Sequence, residues 1–430
     1  AIRAGGCAAP LTTSATPAQL AAMMADSGAM HLFIDGAKAD ELAGHTLPGL
    51  ARIMLDGGHG GAPALADWMA PAGAVPTHTA PAPEDPFNII YSSGTTGTPK
   101  GIVHSHIMRW RQGGGARTVY DQNVRSLLST PLYSNTTLAV FLPTLLWGGH
   151  ARLMGKFDAT RWLELAQAHR ITHTMLVPVQ YQRLLRHDGF DTHDLSAMAH
   201  KFTTSAPFSA ELKAETLARF PGGLTEYYGM TEGGVVCVLL AHKFPDKLHT
   251  VGTPVPGHEL VVLGDDDQPL PPGEKGVLCG RSPTMMSGYR NQPDKTREME
   301  WRDGDGNLWL KTGDIGVVDA DGFVSIVGRA KDMIISGGFN IYPADLEDAL
   351  LAEPGVAEAA VVGVDSDQWG ETPVGFIVAD AGVDVAGVLA SVNGKLGKTQ
   401  RLSALHQIDE MPRSHIGKLL KTELRERLSV

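Results

Sequence analysis

Cysteine is scarce in this chain. The 3 present, Cys7, Cys237 and Cys279, are too widely separated to form a metal-binding spacing or a disulfide framework. That sets aside zinc modules and small disulfide scaffolds, and makes a reducing cytoplasm the expected compartment. Long apolar runs are also missing. No stretch approaches the roughly 20 residues of a membrane-spanning helix, and no signal peptide is read at the start. Positive charge is in deficit: Lys+Arg 36 against Asp+Glu 47 leaves −11, and no basic cluster stands out. This argues against a nucleic-acid surface. With 43% hydrophobic and 19% charged residues over 430 positions, the chain is globular and long enough for two or more domains.

What the chain does have is one stretch of small and hydroxylated residues between two strand-like runs. Ile89-Ile90-Tyr91 reads as a strand end. Ser92, Ser93, Gly94, Thr95, Thr96, Gly97 and Thr98 follow without an apolar side chain, then Pro99, Lys100, Gly101 and a return to β-branched residues. Glycines let successive backbone N–H groups turn inward as an anion nest. The hydroxyls add donors and Lys100 adds a movable positive charge, which together suit a triphosphate. The Walker pattern is absent, because no Gly-Lys-Ser/Thr stands at the required spacing.

Along the chain, Pro17 to Ala25 reads as a short helix capped by Thr16. Leu32-Phe33-Ile34, the run 127–133 and the run 171–178 read as strands, and 136–147 and 160–169 as helices. Strands separated by helices predict a largely parallel, doubly wound arrangement. A second cluster, Thr203-Thr204-Ser205-Ala206-Pro207, leads through a helix to Glu226-Tyr227-Tyr228-Gly229-Met230-Thr231-Glu232. Adjacent aromatics could stack on a flat base, and Glu232 could hold Mg²⁺ through oxygen. Taken alone they are equally a core pair and a solvated carboxylate. A third cluster is Lys311-Thr312-Gly313-Asp314 before an Asp321-Gly322 hairpin turn. A fourth runs from Gly328-Arg329-Ala330-Lys331 to Gly337-Gly338, and Lys418 stands near the end. His104 and His106 read as structural, since neither shows a partner in the sequence.

In this order and spacing the clusters resemble the adenylate-forming superfamily: acyl- and aryl-CoA synthetases, adenylation domains of nonribosomal peptide synthetases, and firefly-type luciferases. The likeness runs from about Ala1 to Lys418. It implies an α/β fold, with a large N-terminal domain of layered α/β subdomains, 1–330, and a small mobile α+β C-terminal domain, 331–430. Part of the first subdomain is expected to be missing ahead of Ala1.

The resemblance also implies roles. Ser92 to Thr98 and Lys100 hold the β- and γ-phosphates of ATP. Ser205, Ala206 and Pro207 line the adenine and the acyl pocket, Tyr228 stacks on adenine, and Glu226 meets the base edge. Tyr227, Gly229, Met230 and Ile326 complete the nucleotide site. Thr231 binds the α-phosphate and Glu232 the Mg²⁺. Asp314 and Arg329 contact the ribose. Tyr133, Ser134, Asn135, Thr204 and Gly229 form the acid pocket. Gly337, Gly338 and Trp369 line the CoA tunnel, Lys331 is the hinge, and Lys418 is the catalytic lysine.

Amino-acid-activating relatives usually carry an Asp at the position occupied here by Asn135, so an uncharged acyl or aryl acid is the expected substrate. Ser134 stands where many aryl-CoA ligases have His. Thr204 stands where Gly is common, which should narrow the pocket against long fatty acids. The expected partners are a small carboxylic acid and CoA, with no nucleic acid and no membrane span; a homodimer is one open assembly. Three alternatives stand beside the CoA ligase: an enzyme loading a separate carrier protein, a luciferase-like oxygenase, and a non-catalytic nucleotide-binding regulator.

Overall fold

The computed structural model describes residues 5–45, 47, 49–75, 80–92, 100–336, 339–366, 368–397, 400–414 and 417–428. Ser93, Gly94, Thr95, Thr96, Gly97 and Thr98 of the glycine-rich loop, and Gly337 and Gly338 of the expected CoA tunnel, lie outside the described residues.

The alternation of apolar strands and amphipathic helices builds a 7-stranded sheet. Its order is Thr253–Pro254, Gly233–Leu240, Gly223–Met230, His200–Thr203, His173–Met175, Arg125–Leu128, His150–Leu153. From Gly223–Met230 to His150–Leu153 the neighbours run parallel. Parallel neighbours need a long crossover, supplied here by Asn135–Leu146, Ala159–Ala168, Pro178–Leu185 and Ala210–Arg219. Strand Arg125–Leu128 shows why helices cover both faces. Leu127 packs with Trp162, Tyr181 and Phe220, while Leu128 packs with Val140, Met175 and Phe202. Successive strand residues point to opposite faces, so an apolar strand must be buried twice.

Two expected strands are shorter than their runs. In 127–133 pairing ends at Leu128, and a turn follows in which the Ser134 N–H donates to the Pro131 carbonyl. Within 171–178 only His173–Met175 pairs, and Pro178 opens a helix instead. A proline in the first helical turn loses no hydrogen bond, and the Gln180 side chain accepts from the Val177 N–H at 3.1 Å. The helix Pro17–Ser27 forms as expected, with Thr16 and Gln19 making a reciprocal capping box.

Two antiparallel sheets frame the site. The hairpin Pro86–Ser92 with Lys100–Ser105 is extended by Gly288–Tyr289. A 5-stranded sheet joins Glu259–Leu263, Gly276–Arg281, Leu308–Val318, Glu300–Arg302 and Val324–Arg329. Beyond it the chain forms a separate sheet from Ile334–Ser336, Phe339–Ile341, Val356–Ser366, Gly370–Ala379 and Ala404–Gln407. Helices Pro343–Leu351 and Val385–Lys395 cover one face over Val361 and Ile377; Leu424 of Lys421–Glu426 covers the other over Ala360, Val362 and Phe376. The fold is thus a mixed α/β large domain followed by a small C-terminal one. Among the described residues no helix is long and apolar enough to cross a membrane.

A buried ion pair ties helix Ala210–Arg219 to strand Gly223–Met230. Lys213 Nζ lies 2.5 Å from Glu226 Oε2, with both side chains almost fully buried. The same ammonium donates to the carbonyls of Leu248 at 2.7 Å and Thr250 at 3.0 Å. Glu226, expected from sequence to meet the base edge, instead has its carboxylate paired with Lys213 inside the domain. Burial pushes its carboxyl up and the Lys213 charge resists that. Removing one partner of a buried pair strands the other charge. Lys213→Met is expected to lower unfolding free energy by about 3–5 kcal/mol, and adding Glu226→Leu should recover most of the loss. Urea unfolding of the single and double variants measures both; an unchanged midpoint in Lys213→Met would refute the role.

Candidate active site

The site is organised on a hairpin tip. Strands Gly223–Met230 and Gly233–Leu240 pair up to Met230 opposite Gly233, leaving Thr231 and Glu232 as the turn. Three bonds from other elements hold it. His104 Nε2 donates to the Thr231 carbonyl at 2.7 Å. The Met286 N–H donates to the Glu232 carbonyl at 2.8 Å. The Tyr289 hydroxyl donates to Glu232 Oε1 at 2.7 Å. Burial and the Glu232 charge raise the Tyr289 phenol pKa, so it remains a donor. The same ring carries the Lys100 ammonium 5.0 Å from its centroid. Tyr289 was not singled out by sequence, and its pairing with Ile102 on the Lys100 strand is what brings it here. The signal was Ser287-Gly288-Tyr289 ahead of Pro293, too short to read alone.

Along strand Gly223–Met230, Tyr227 and Tyr228 face opposite ways. Tyr227 stacks on Phe202 at 5.8 Å between centroids, within the core. Tyr228 and Ile326 both pack against the cluster of Val235 and Cys237, and the Tyr228 hydroxyl donates to Asp314 Oδ2 at 2.8 Å. Burial drives the Tyr228 phenol pKa well up, which keeps that proton in place. Asp314 and Arg329 are direct partners across antiparallel strands, and Arg329 Nε meets Asp314 Oδ1 at 2.7 Å. Burial raises the Asp314 carboxyl pKa, against the pull of Arg329, Tyr228, Lys418 and Lys331.

Lys418 and Lys331 arrive from the end of the chain and from the short turn Ala330–Asp332. Partial burial, then the charges of Arg329 and Lys331, lower the Lys418 pKa; Asp314 and Asp332 act the other way. Lys331 is lowered by partial burial, with Arg329, Arg425 and Lys100 adding repulsion and Asp332 opposing. Gly417 sits in the left-handed region at φ 75°, where a Cβ would lie 3.1 Å from Val177 Cγ2 and 3.2 Å from Val179 Cγ1. Only a glycine lets this loop press so closely on the helix start at Pro178. Beside this contact, a polar cleft of about 320 Å³ lies between Gln182, Arg183 and Arg186 on one side and Glu358, Glu410 and Arg413 on the other.

The expected acid-pocket segment meets the second cluster at one bond. Thr136 Oγ1 and Ser205 Oγ are 2.6 Å apart, and Ser205 holds φ 79° without being glycine. Such strain persists only where the surroundings dictate it, and it concentrates at functional sites. Ser134 caps helix Asn135–Leu146, accepting from the Thr136 N–H at 3.3 Å, so its hydroxyl is engaged. Tyr133, Asn135, Thr204, Ala206, Gly229 and Met230 are not all buried together; each keeps some or much of its surface open along this rim. Trp369 lies in the turn before Gly370, which pairs with Ser336 at the end of its strand. Among the described residues Trp369 makes no bond to the Asp314 group. Nor do the described residues contain three or more His, Cys, Asp or Glu grouped for a metal. Mg²⁺ does not require such a group: it is commonly held by one or two carboxylates with phosphate oxygens and water, and Glu232 fits that donor set.

The model of the AMP-binding enzyme family matches residues 1–290, and that of its C-terminal domain matches residues 345–418. The chain is 34% identical over 358 residues to a medium/long-chain-fatty-acid–CoA ligase of Mycobacterium tuberculosis, covering 80% of this chain and 62% of that protein, less than two thirds of its length. It is 36% identical over 353 residues to a feruloyl-CoA synthase of Amycolatopsis sp, covering 80% of this chain and 70% of that protein. Among solved structures it superposes on ATP-bound MatB from Rhodopseudomonas palustris with a TM-score of 0.85 and 30% identity, over 99% of this chain and 84% of that one. The chain belongs to the AMP-binding, adenylate-forming enzymes.

Proposed function

We propose that this protein is an AMP-forming acid–CoA ligase that joins an acyl or aryl carboxylic acid to CoA through an acyl-AMP intermediate. The observation that carries this reading is the gathering of Arg329, Lys331 and Lys418 around Asp314, with Lys100 close enough to repel Lys331. Like charges repel, and so many in one place are useful only where a polyanion enters. Family membership supports the adenylation chemistry, and both enzymes named above as sequence relatives are CoA ligases.

In the proposed first step, the acid's carboxylate attacks the α-phosphorus of ATP and pyrophosphate leaves. A carboxylate facing a triphosphate is repelled, so the site must supply positive charge. Lys418 lies between the incoming carboxylate and the α-phosphate, Lys100 attends the outer phosphates, and the Thr231 hydroxyl takes the α-phosphate. Tyr228 stacks on the base with its hydroxyl tied to Asp314, which with Arg329 receives the ribose. Mg²⁺, when held at Glu232, would neutralise charge on the phosphates. In the second step a thiolate attacks the acyl carbonyl and AMP leaves.

The two steps need different surroundings. The nearness of Lys418 to Asp314 supports an orientation of the small domain suited to adenylation. We assign the turn at Lys331 as the hinge and the boundary between domains, and Gly337, Gly338 and Trp369 as the face turned in for CoA. The polar cleft between the domains suits an interface that must open. Thr204 at the pocket floor favours compact aryl or short acyl acids over long fatty chains.

With ATP, Mg²⁺, CoA and a panel of carboxylic acids, the expected products are AMP and pyrophosphate; ADP as the main nucleotide product would overturn adenylation. Running the second step with CoA and with carrier proteins as rival acceptors decides between a CoA ligase and a carrier-loading enzyme. Lys418→Ala should lose on the order of 10²–10³ in adenylate formation yet still convert synthetic acyl-AMP and CoA to thioester. Equal loss in both half-reactions would sink the two-orientation mechanism. Tyr289→Phe keeps the ring under Lys100 but frees Glu232; its expected effect is about a tenfold rise in KM for Mg-ATP, with no change in KM for the acid.

A further inference from the structure

Behind the acid-pocket helix lies a buried cation. Arg109 is 6% exposed, and among the described residues no carboxylate pairs with it. Its hydrogen bonds go to neutral acceptors. Nε donates to Asn88 Oδ1 at 2.8 Å, and Nη1 to Gln112 Oε1 at 2.8 Å and to Asn135 Oδ1 at 2.7 Å. Nη2 donates to His104 Nδ1 at 2.7 Å. A guanidinium can only donate, so Nδ1 of His104 must be the acceptor and its Nε2 must carry the proton given to the Thr231 carbonyl. Burial and the Arg109 charge keep His104 neutral, its pKa lowered to about 3. Arg109 is itself lowered to about 9 by burial and remains charged at neutral pH.

Lys201 shows how differently this chain treats another buried cation. Its ammonium donates to the carbonyls of Phe220, Pro221 and Gly222 just past helix Ala210–Arg219, at the negative end of the helix dipole. Arg109 instead touches Asn135, the first residue of helix Asn135–Leu146. That is the positive end of a helix dipole, so the two fields add. A buried charge so placed is costly unless something negative or electron-rich comes to it.

The bond to Asn135 also fixes an amide. Its oxygen is held by the guanidinium, so its NH₂ must point away, and among the described residues that NH₂ has no partner. On the opposite flank, Thr136 contacts Ser205, so the helix start lies between the Arg109 group and the segment assigned to the acid.

We propose that Arg109 sets the selectivity of the acid pocket: by holding the Asn135 oxygen it presents two N–H donors and a positive field to the substrate. The site then selects acids carrying an acceptor oxygen, such as an ether, phenol or carbonyl, and rejects acids carrying an ammonium. Arg109 is a positioning residue, since it acts through Asn135 and His104. The proposal rests on the adenylation reading above.

The test is ATP–pyrophosphate exchange with two matched acid series. One is 4-methoxy-, 4-ethyl- and 4-(aminomethyl)cinnamate; the other is 7-methoxyheptanoate, nonanoate and 8-aminooctanoate. On the better scaffold, the ether should exceed its hydrocarbon isostere by roughly tenfold in kcat/KM, about one hydrogen bond, and the amine should fall on the order of 10² below. Arg109→Met and Asn135→Leu should each bring the ether-to-hydrocarbon ratio close to 1, chiefly through KM. Arg109→Lys, whose single ammonium cannot reach Asn88, Gln112, His104 and Asn135 together, should recover the exclusion of the amine but not the full ether preference. A purely structural role for Arg109 would lower all three acids alike and leave the ratios unchanged. If Arg109→Met fails to fold, the Asn135→Leu ratio decides. Exchange with no acid of either series would overturn the adenylation reading itself. Exchange with wild-type ratios unaltered in the variants, or with the amine as good as the ether, would overturn only the Arg109 proposal.

Discussion

Repulsion between like charges is the constraint around which this molecule is arranged. Arg329, Lys331 and Lys418 come from a sheet edge, a short turn and a loop late in the chain, and meet near the carboxylates of Asp314 and Asp332, with Lys100 of the hairpin close enough to repel Lys331. Left to themselves these side chains would separate. What keeps them close is scaffold: strand pairing for Lys100 and Arg329, and the glycine contact at Val177 that seats the Lys418 loop. Part of the repulsion is relieved locally, by the Arg329–Asp314 pair and by the Tyr289 ring beneath Lys100. The remainder is the attraction available to an anion.

The neutral framework beneath this charge is built with equal economy. Thr231 and Glu232 occupy a short turn whose two carbonyls, and the Glu232 carboxylate, are held by neighbours. His104, Met286 and Tyr289 each contribute one bond from a different strand or loop. His104 is in turn held by Arg109, which reaches Asn135. The hairpin tip and the start of helix Asn135–Leu146 are thereby joined through two buried side chains.

Sequence and structure agree most closely where local pattern decides. The capping box at Thr16, the helices after Asn135 and Ala159, and the Asp319-to-Phe323 turn follow from side chains within a few residues of one another. They part where a long-range partner intervenes. Glu226 looked available because it sits in a motif with two tyrosines; Lys213, on the preceding helix, takes it into the core. His104 was read as structural but without partners, because these are Arg109, on the following helix, and a backbone carbonyl 127 residues away.

By itself the sequence determined the chemistry on offer: a hydroxyl- and glycine-rich loop with a lysine, an aromatic beside Thr231 and Glu232, an acid before a hairpin, and a late lysine. It also determined the α/β class, because periodicity and capping are local properties of the chain. Only the tertiary structure decided which of these groups face one another. It made Tyr289 a shared support for Lys100 and Glu232, removed Glu226 from the site, and buried Arg109 against Asn135. The physical reason is that strand register and burial set those contacts, and neither is encoded in spacing along the chain: one residue of register turns a side chain from core to site.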